Sequence, residues 1–457
     1  MKKLLLALPI FIGVAGGSWA GSTIYSGSES RDAYDRVIAD LNDSLGLALV
    51  NSEYLTGFLK SEATTEVRLT DEPGADVLFR LRHVIAHSPV GTGASPSLSA
   101  ARIITTVITE DFENDLAAKV LKGFGDEQPM TLLSRVGFDG TVDSEFTIAP
   151  FEFDDGSGKE IHSEAVVWNT VIDSEGAQAG SGHWSGAVIK TPVAIVSVSE
   201  MNTTFDFTRT SDGLYQGSGQ HNVAKVQLNV PHIGLSTGIR DVTMGFLSDI
   251  TNDRLSGNLS LAINDIDAPI PLDSVQVKTR FGGLGIEGIK QLNTMYLQLL
   301  AADFSDDSAA EKQIIKRYAN AIGALIKPGA YYGYDLSLGN EGGTADASIT
   351  ATFKGDDSPS GHDLLTSPNA IKADLLRAVK IEASMNAPDD ALALTPAAMF
   401  VDPAMLAPWI IADGTSLKSN ILINNLTISF NGDSMSLETM LGDELYAPLS
   451  LDEFMSI

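Results

Sequence analysis

The chain contains no cysteine and few cations, and each shortage excludes a class of protein. Without cysteine there is no disulfide framework, no thiol catalysis and no metal centre built on thiolates. Thirty Lys and Arg residues stand against 59 Asp and Glu residues, which gives a formal net charge of −29. Because this charge repels polyanions, the sequence argues against a protein that binds DNA or RNA.

Long hydrophobic runs are also missing, except at the N-terminus. Lys2 and Lys3 precede an uncharged stretch over residues 4–25, LLLALPIFIGVAGGSWAGSTIY, which is long enough to cross a bilayer. We predict a retained membrane anchor. The alternative is a signal peptide cleaved after Ala20, because Ser18 and Ala20 are small residues at the positions that signal peptidase inspects. In both cases the chain beyond Tyr25 is exported.

Alternating apolar and polar residues dominate the exported part and predict half-buried strands. An amphipathic helix is predicted before them, over residues 29–45. A short helix is predicted near residues 111–122, and helices return between residues 285 and 330, where Ser308 and Glu311 form a capping box. The predicted strands cover residues 62–70, 77–87, 144–153, 163–172, 193–198, 203–208, 223–230, 239–246, 255–263, 331–338, 345–353, 420–430 and 435–437.

These patterns predict an α+β, β-dominated fold. Its main feature is a long antiparallel meandering sheet with a helical insert, preceded by the N-terminal transmembrane anchor or signal. The predicted parts are the signal or anchor segment 1–25, an N-terminal helix and antiparallel β portion 26–284, the helical insert 285–330, and a C-terminal β and helix portion 331–457.

Three short segments resemble the YdgA-like family of bacterial proteins of unknown function. They are Tyr54-Leu55-Thr56-Gly57-Phe58-Leu59-Lys60-Ser61, His83-Val84-Ile85-Ala86-His87-Ser88-Pro89 and Leu426-Thr427-Ile428-Ser429-Phe430-Asn431-Gly432. Thr56 stands where the family pattern has Arg, and Ser88 stands where it has Gly. The resemblance implies an inner-membrane protein with one N-terminal anchor and a periplasmic domain, and it implies no enzymatic activity.

Two histidines and two aspartates have spacings that are typical of metal-binding or catalytic sites. His83 and His87 are four residues apart, but on a strand they lie about 13 Å apart, so a histidine packed at the end of a strand is favoured over a metal site. Asp265 and Asp267 would point the same way from a strand, about 7 Å apart, as the carboxylates of an inverting glycosidase do. The sequence NDIDAPIP around them favours a solvated turn at the end of a strand.

Calcium loops and sugar-binding aromatic residues are weaker candidates. The acidic segments 249–253 and 303–307 lack the Gly and Glu of a calcium-binding loop. Trp168 and Trp184 are candidates for stacking on a carbohydrate. The glycine runs at residues 156–158, 180–182 and 217–219 are predicted to be hairpin turns.

The sequence therefore predicts a non-enzymatic binding or structural module of the cell envelope, with no catalytic, cofactor-binding or metal-binding residue. Its partner is the membrane through the N-terminal segment, together with a second copy, another envelope protein or a lipid. A lipid would lie in a groove lined by the Val, Ile, Leu and Phe residues of the strands, whereas a protein partner would pair with a sheet edge. The alternative is an exported hydrolase for glycans or esters, with Asp265 and Asp267 as its carboxylates.

Overall fold

The structure, a computed structural model, describes residues 48–57, 60–68, 77–86, 99–108, 121–154, 156–210, 214–268, 272–292, 317–318, 320–355, 371–388 and 409–448. The chain divides into two compact units, an N-terminal unit of residues 1–238 and a C-terminal unit of residues 239–457. The predicted anchor over residues 4–25 and the predicted helix over residues 29–45 lie outside the described ranges. Within those ranges, no helix combines the length and the apolar character that a membrane crossing requires.

The N-terminal unit is an antiparallel meander in which neighbours in sequence pair with each other. The pairing order is β1, β2, β3, β4, β5, β6, β9, β10, β11 and β12, and the short β7–β8 hairpin prolongs the β6–β9 hairpin. The strands are β1 (Ala48–Leu55), β2 (Lys60–Arg68), β3 (Val77–Ala86), β4 (Ala101–Ile108), β5 (Met130–Val136), β6 (Val142–Ile148), β7 (Phe151–Asp154), β8 (Glu160–Ser163), β9 (Val166–Ile172), β10 (Gln178–Lys190), β11 (Ile195–Arg209) and β12 (Tyr215–Val230).

One face of this sheet forms the core of the N-terminal unit. Strands β2, β4 and β5 bury every second residue. Of these three, only β2 was among the predicted strands. The buried side chains include Val67, Ile85, Ile103, Val142 and Phe146.

The C-terminal unit continues the antiparallel pattern with longer strands. Its pairing order includes β14, β15, β16, β17, β18, β20, β21 and β22, while β19 pairs with the first residues of β20. The strands are β13 (Leu235–Thr251), β14 (Arg254–Asp267), β15 (Ser274–Gly285), β16 (Ile326–Asn340), β17 (Gly343–Phe353), β18 (Val379–Pro388), β19 (Ile411–Asp413), β20 (Ser416–Asn424), β21 (Thr427–Phe430) and β22 (Asp433–Ser436).

Short helical segments lie between and after these strands. Residues 286–292, 317–318 and 320–325 are helical, within the predicted helical insert. Helix α1 (Lys372–Ala378) packs Ala378 against Ala330 and Phe353. Helix α2 (Leu437–Leu441) and the 3₁₀ turn Gly442–Tyr446 end the described chain, and another 3₁₀ turn, Pro231–Ile233, joins β12 to β13. The predicted β-dominated, antiparallel fold is confirmed.

Two local predictions were wrong. The glycine runs at residues 180–182 and 217–219 lie inside β10 and β12 instead of in turns, whereas the run at residues 156–158 does connect β7 and β8. The strand predicted over residues 420–430 is a hairpin, because Asn425 and Leu426 turn the chain with φ of 48° and 60°. The turn predicted at Asn431 and Gly432 is confirmed by φ of 52° and 101°.

Aromatic rings lie directly over glycines in the strands. A Cβ atom added to Gly182 would lie 2.8 Å from the Trp168 ring, and one added to Gly180 would lie 2.5 Å from the Phe205 ring. In the C-terminal unit a Cβ atom on Gly282 would lie 2.5 Å from the Tyr331 ring. These glycines are therefore needed for the close approach of a ring to the sheet, and not for a turn.

Candidate functional site

A row of buried hydroxyl groups and one histidine crosses the core of the N-terminal unit. The His83 ring is 3% exposed, and each of its nitrogens lies 2.9 Å from a threonine hydroxyl, Nε2 from Thr65 and Nδ1 from Thr105. A neutral imidazole has one donor and one acceptor, so one hydroxyl accepts a hydrogen bond from the ring and the other donates one to it. Farther along, the hydroxyls of Ser134 and Ser144 lie 2.8 Å apart.

Burial lowers the pKa of His83 to about 3, so the ring is neutral at physiological pH. A hydroxyl beside a neutral imidazole is the arrangement of a nucleophile and its base, but here the core encloses both groups. The described ranges hold no cluster of three or more metal-ligating side chains. His83 thus lies packed within β3, whereas the sequence predicted a histidine packed at a strand end. His87 lies outside the described residues.

The paired aspartates of the hydrolase hypothesis lie at the end of β14, where Arg240 contacts both. Arg240 Nη1 lies 2.8 Å from Asp265 Oδ2, and Nη2 lies 3.8 Å from Asp267 Oδ2. Their side chains are 43% and 69% exposed. The two carboxylates therefore share one cation at the surface instead of facing an enclosed cleft.

The acidic segment 249–253 forms the turn between β13 and β14. Asn252 and Asp253 have φ of 53° and 58°, and Thr251 donates a hydrogen bond to Asp249 at 2.9 Å. This geometry is that of a tight hairpin turn. The other predicted calcium segment, residues 303–307, lies outside the described ranges.

The strongest candidate site is a concavity of about 490 Å³ in the C-terminal unit. It crosses six adjacent strands, β14, β15, β16, β17, β18 and β20. From β20 it is lined by Lys418 and Asn420 but not by Ser419, whose side chain lies on the other face. The concavity therefore opens on the polar face of the sheet, and we call it the polar groove. Its polar and small lining residues are Ser260, Ala262, Gln276, Lys278, Asp335, Ser337, Asp346, Ser348, Ser384, Asn386, Lys418 and Asn420. The intervening residues Leu261, Val277, Leu336, Ala347 and Met385 of the same strands also border the concavity.

These side chains form two rows across the strands, because the strand register places them opposite each other. One row is Ser260, Lys278, Asp335, Ser348, Ser384 and Asn420, and the other is Ala262, Gln276, Ser337, Asp346, Asn386 and Lys418. Directly opposed residues in adjacent strands have Cβ atoms about 5 Å apart. The groove floor is thus a lattice of short polar side chains.

Arg280 and Asp335 form an ion pair at the first row of the polar groove. Arg280 Nη2 donates to Asp335 Oδ1 at 2.8 Å while Arg280 Nε lies 2.7 Å from Oδ2, and Ser348 donates to Oδ1 at 2.8 Å. Burial raises the pKa of Asp335, but the hydrogen bonds from Arg280 and Ser348 and the charges of Arg280 and Lys278 outweigh it. The pKa therefore lies below its ordinary value, and the carboxyl is ionised at neutral pH.

The second row contains two side-chain amides that are available for hydrogen bonding. Ser337 donates to Asp346 at 2.7 Å, and Lys418 lies 2.5 Å from Asp413. The side-chain amides of Gln276 and Asn386 have no hydrogen-bond partner within the described ranges, and the same holds for the side chain of Asn420 in the first row. These amides provide donors and acceptors to anything that enters the groove.

The apolar side chains of the same strands lie on the opposite face. Leu261, Val277 and Leu336 alternate with the groove residues. On this face Leu259 is 52% exposed and Ile349 is 47% exposed. The side chains of Leu261, Val277 and Leu336 therefore point away from the two polar rows, although these residues border the concavity.

The polar groove was not predicted from the sequence, because alternating polar residues in a strand are also typical of an ordinary solvated face. The sequence does contain one indication of the groove. The groove positions are short residues, mainly Ser, Asn, Asp and Ala, where an unconstrained solvated strand more often carries Lys, Glu or Thr. The register that brings six strands together is not visible in a single sequence.

The ion pair in the groove leads to a first testable prediction. We expect Asp335→Asn to lower the free energy of unfolding by about 1 kcal/mol, because it removes a charge-assisted pair that is partly solvent-screened. Asp346→Asn is the matched control and should cost less, because its carboxylate has a single hydroxyl donor. Urea unfolding at pH 7 measures both, and equal losses would contradict a contribution from Arg280.

Acid should remove the difference between these two variants. The pKa of Asp335 is lower in the folded chain than in the unfolded chain. Its stabilising contribution is therefore present above the unfolded pKa and disappears as the pH falls through the folded pKa.

Comparison with known proteins gives one family. The family model described as "Bacterial protein of unknown function (DUF945)" matches residues 1–438. Neither the curated proteins nor the solved structures contain a match to the chain.

Proposed function

Since the chain belongs to the DUF945 family of bacterial proteins of unknown function, we propose that it is a YdgA-like envelope protein that binds a ligand without transforming it. The N-terminal segment at residues 4–25 anchors it in the inner membrane, and the two units lie in the periplasm. The proposal for the anchor is supported by Lys2, Lys3 and the uncharged stretch after them. The ligand site is the polar groove.

The polar groove is the observation that carries this proposal. It combines a preformed concavity with side-chain amides that have no hydrogen-bond partner among the described residues. Buried or half-buried polar groups normally find partners inside the protein, so unused amides in a concavity favour a partner from outside. A surface that served only to solvate the sheet would not need to be concave.

The groove favours a polar ligand over a lipid chain. An acyl chain requires a continuous apolar lining, whereas the apolar residues of these strands lie on the opposite face. Pairing with another protein through a sheet edge is also less favoured. Edge strand β1 is irregular between Asn51 and Glu53. Strand β22 has only four residues, and so does β7, which pairs with β8 alone among the described strands, so these edges are poor templates for a further strand.

The hydrolase alternative has weaker support. Asp265 and Asp267 share the Arg240 guanidinium at an exposed strand end, whereas an inverting pair flanks a glycosidic bond held in a cleft.

A variant that removes unused amides tests the proposal. The full-length chain is purified from membranes in mild detergent, and its bound molecules are weighed by native mass spectrometry. We expect a defined bound mass in the original protein and its loss in the double variant Gln276→Ala with Asn386→Ala. Because neither amide has a partner in the part of the chain that the structure describes, the free energy of unfolding of the double variant should lie within about 0.5 kcal/mol of that of the original protein.

Asn229→Ala is the matched control, because Asn229 is an exposed amide on β12 in the N-terminal unit. It should retain the bound mass. The same bound mass in all three proteins would contradict the groove as the site. Dimers without any bound molecule would contradict binding altogether and favour assembly.

A further inference from the structure

We infer that the ligand of the polar groove is a linear, nearly uncharged glycan that lies across the strands. This inference rests on the proposed function and assigns a ligand class to the same site. It follows from the shape of the groove, from the groups on its floor and from the way its charges are compensated.

The shape of the groove suits a single extended chain. Adjacent strands lie about 4.8 Å apart, so six strands span about 24 Å. Along each strand the two groove residues are two positions apart, a separation of about 7 Å. The site is therefore long and narrow, and it presents one pair of side chains at every strand. An extended polymer that crosses the strands would meet a similar set of groups at regular intervals.

The floor of the groove offers side chains and no backbone groups. At the groove positions, strands β15, β16, β17 and β18 are paired on both sides in continuous register, so their amide and carbonyl groups are used within the sheet. A peptide recognised through its main chain needs an open strand edge, which the floor does not provide. Recognition must instead use Ser, Asn, Gln and Asp side chains, which both donate to and accept from hydroxyl groups.

The charges of the groove are largely compensated. Arg280 neutralises Asp335, and Asp413 neutralises Lys418. The remaining charges, Lys278 and Asp346, have opposite sign and cancel. A groove built for phosphate or for another strongly anionic ligand would have an excess of cations, as phosphate sites do. A neutral polyhydroxylated chain fits this balance.

Binding of two hexasaccharides to the full-length protein tests the inference. One consists of β-linked glucose and the other of β-linked N-acetylglucosamine, and an uncharged hexapeptide serves as the comparison probe. Calorimetry at low and high salt should show binding of at least one sugar, with little effect of salt, and no binding of the peptide. Asn386→Ala should weaken sugar binding about tenfold, the effect of one lost hydrogen bond.

Lys278→Gln separates a neutral ligand from an anionic one. For a neutral glycan we expect less than about a threefold loss of affinity, whereas an anionic ligand would lose much of its binding in this variant and at high salt. Steep salt dependence, or binding of the peptide alone, would overturn the glycan inference. If a molecule copurifies in the groove and is not a saccharide, the inference fails and the proposed function stands; if no molecule depends on Gln276 and Asn386, both fail.

Discussion

Between pH 6.5 and pH 5, His83 alone is expected to lower the free energy of unfolding by about 2 kcal/mol. Its pKa is about 3 in the folded chain and about 6.5 in the unfolded chain, so the unfolded chain takes up the proton first as the pH falls. Stability is unaffected above pH 6.5. Below it, stability falls by about 1.4 kcal/mol per pH unit until the folded ring itself protonates.

Urea unfolding of the original protein and of His83→Gln at pH 7 and pH 5 measures this effect. The variant should be less stable at pH 7, because the row from Thr65 to Thr105 loses its imidazole, but it should lose about 2 kcal/mol less on acidification. Carboxylates titrate equally in both proteins, so the difference isolates His83.

A second measurement covers the case in which His83→Gln does not fold. In the nuclear magnetic resonance spectrum of the original protein, the His83 ring should remain neutral down to about pH 4. Exposed His162 serves as the internal control, because hydrogen bonds and charges from Glu164 and Glu152 outweigh slight desolvation and raise its pKa. A His83 ring that titrates near pH 6.5 would contradict the buried, neutral state.

Gly182→Val should destabilise the N-terminal unit by about 3 kcal/mol, although valine favours strands. Gly182 is buried in β10, and any Cβ atom there would lie 2.8 Å from the Trp168 ring. The matched control is Ser181→Val, because Ser181 directly precedes Gly182 in the same strand and is exposed on the opposite face. This variant should change the free energy of unfolding by less than about 0.5 kcal/mol.

A double-mutant cycle identifies the ring as the cause. Trp168→Ala removes the ring and costs stability by itself, but Gly182→Val should then be nearly neutral in that background. Thermal unfolding followed by circular dichroism gives all four values. If Gly182→Val costs as much without the tryptophan as with it, the strain arises in the backbone and the ring contact is not its source.

The sequence was most informative where one face of a strand is buried. In β2 the alternation of small or apolar residues with polar ones predicts both the strand and its core face, whereas β4 has the same burial pattern and was not predicted. The Asn431-Gly432 turn was equally predictable, because both residues tolerate positive φ.

Local sequence patterns do not predict the structure at positions where contacts between residues distant in sequence determine the backbone. Gly180 and Gly182 look like turn residues, and only the rings of Phe205 and Trp168 explain their place in a strand. The turn at Asn425 and Leu426 has no glycine, so its sequence gives little sign of positive φ.

The polar groove was unpredictable for a related reason. Lys278, Asp335 and Ser348 form a row only because the register of three strands aligns them. The sequence of each strand by itself has the pattern of an ordinary solvent-exposed face. Candidates that depend on a single segment, such as Asp265 with Asp267, were visible in the sequence.

The strand order of the N-terminal unit has a consequence for how the chain folds during its synthesis. From β1 to β12 each strand pairs with strands close to it in sequence, and even the longest segment between two paired strands, between β4 and β5, covers only residues 109–129. Contacts of this kind have a low entropic cost of loop closure. The unit can therefore assemble one hairpin at a time from its first strand onward, while later residues are still emerging from a ribosome or a translocation channel.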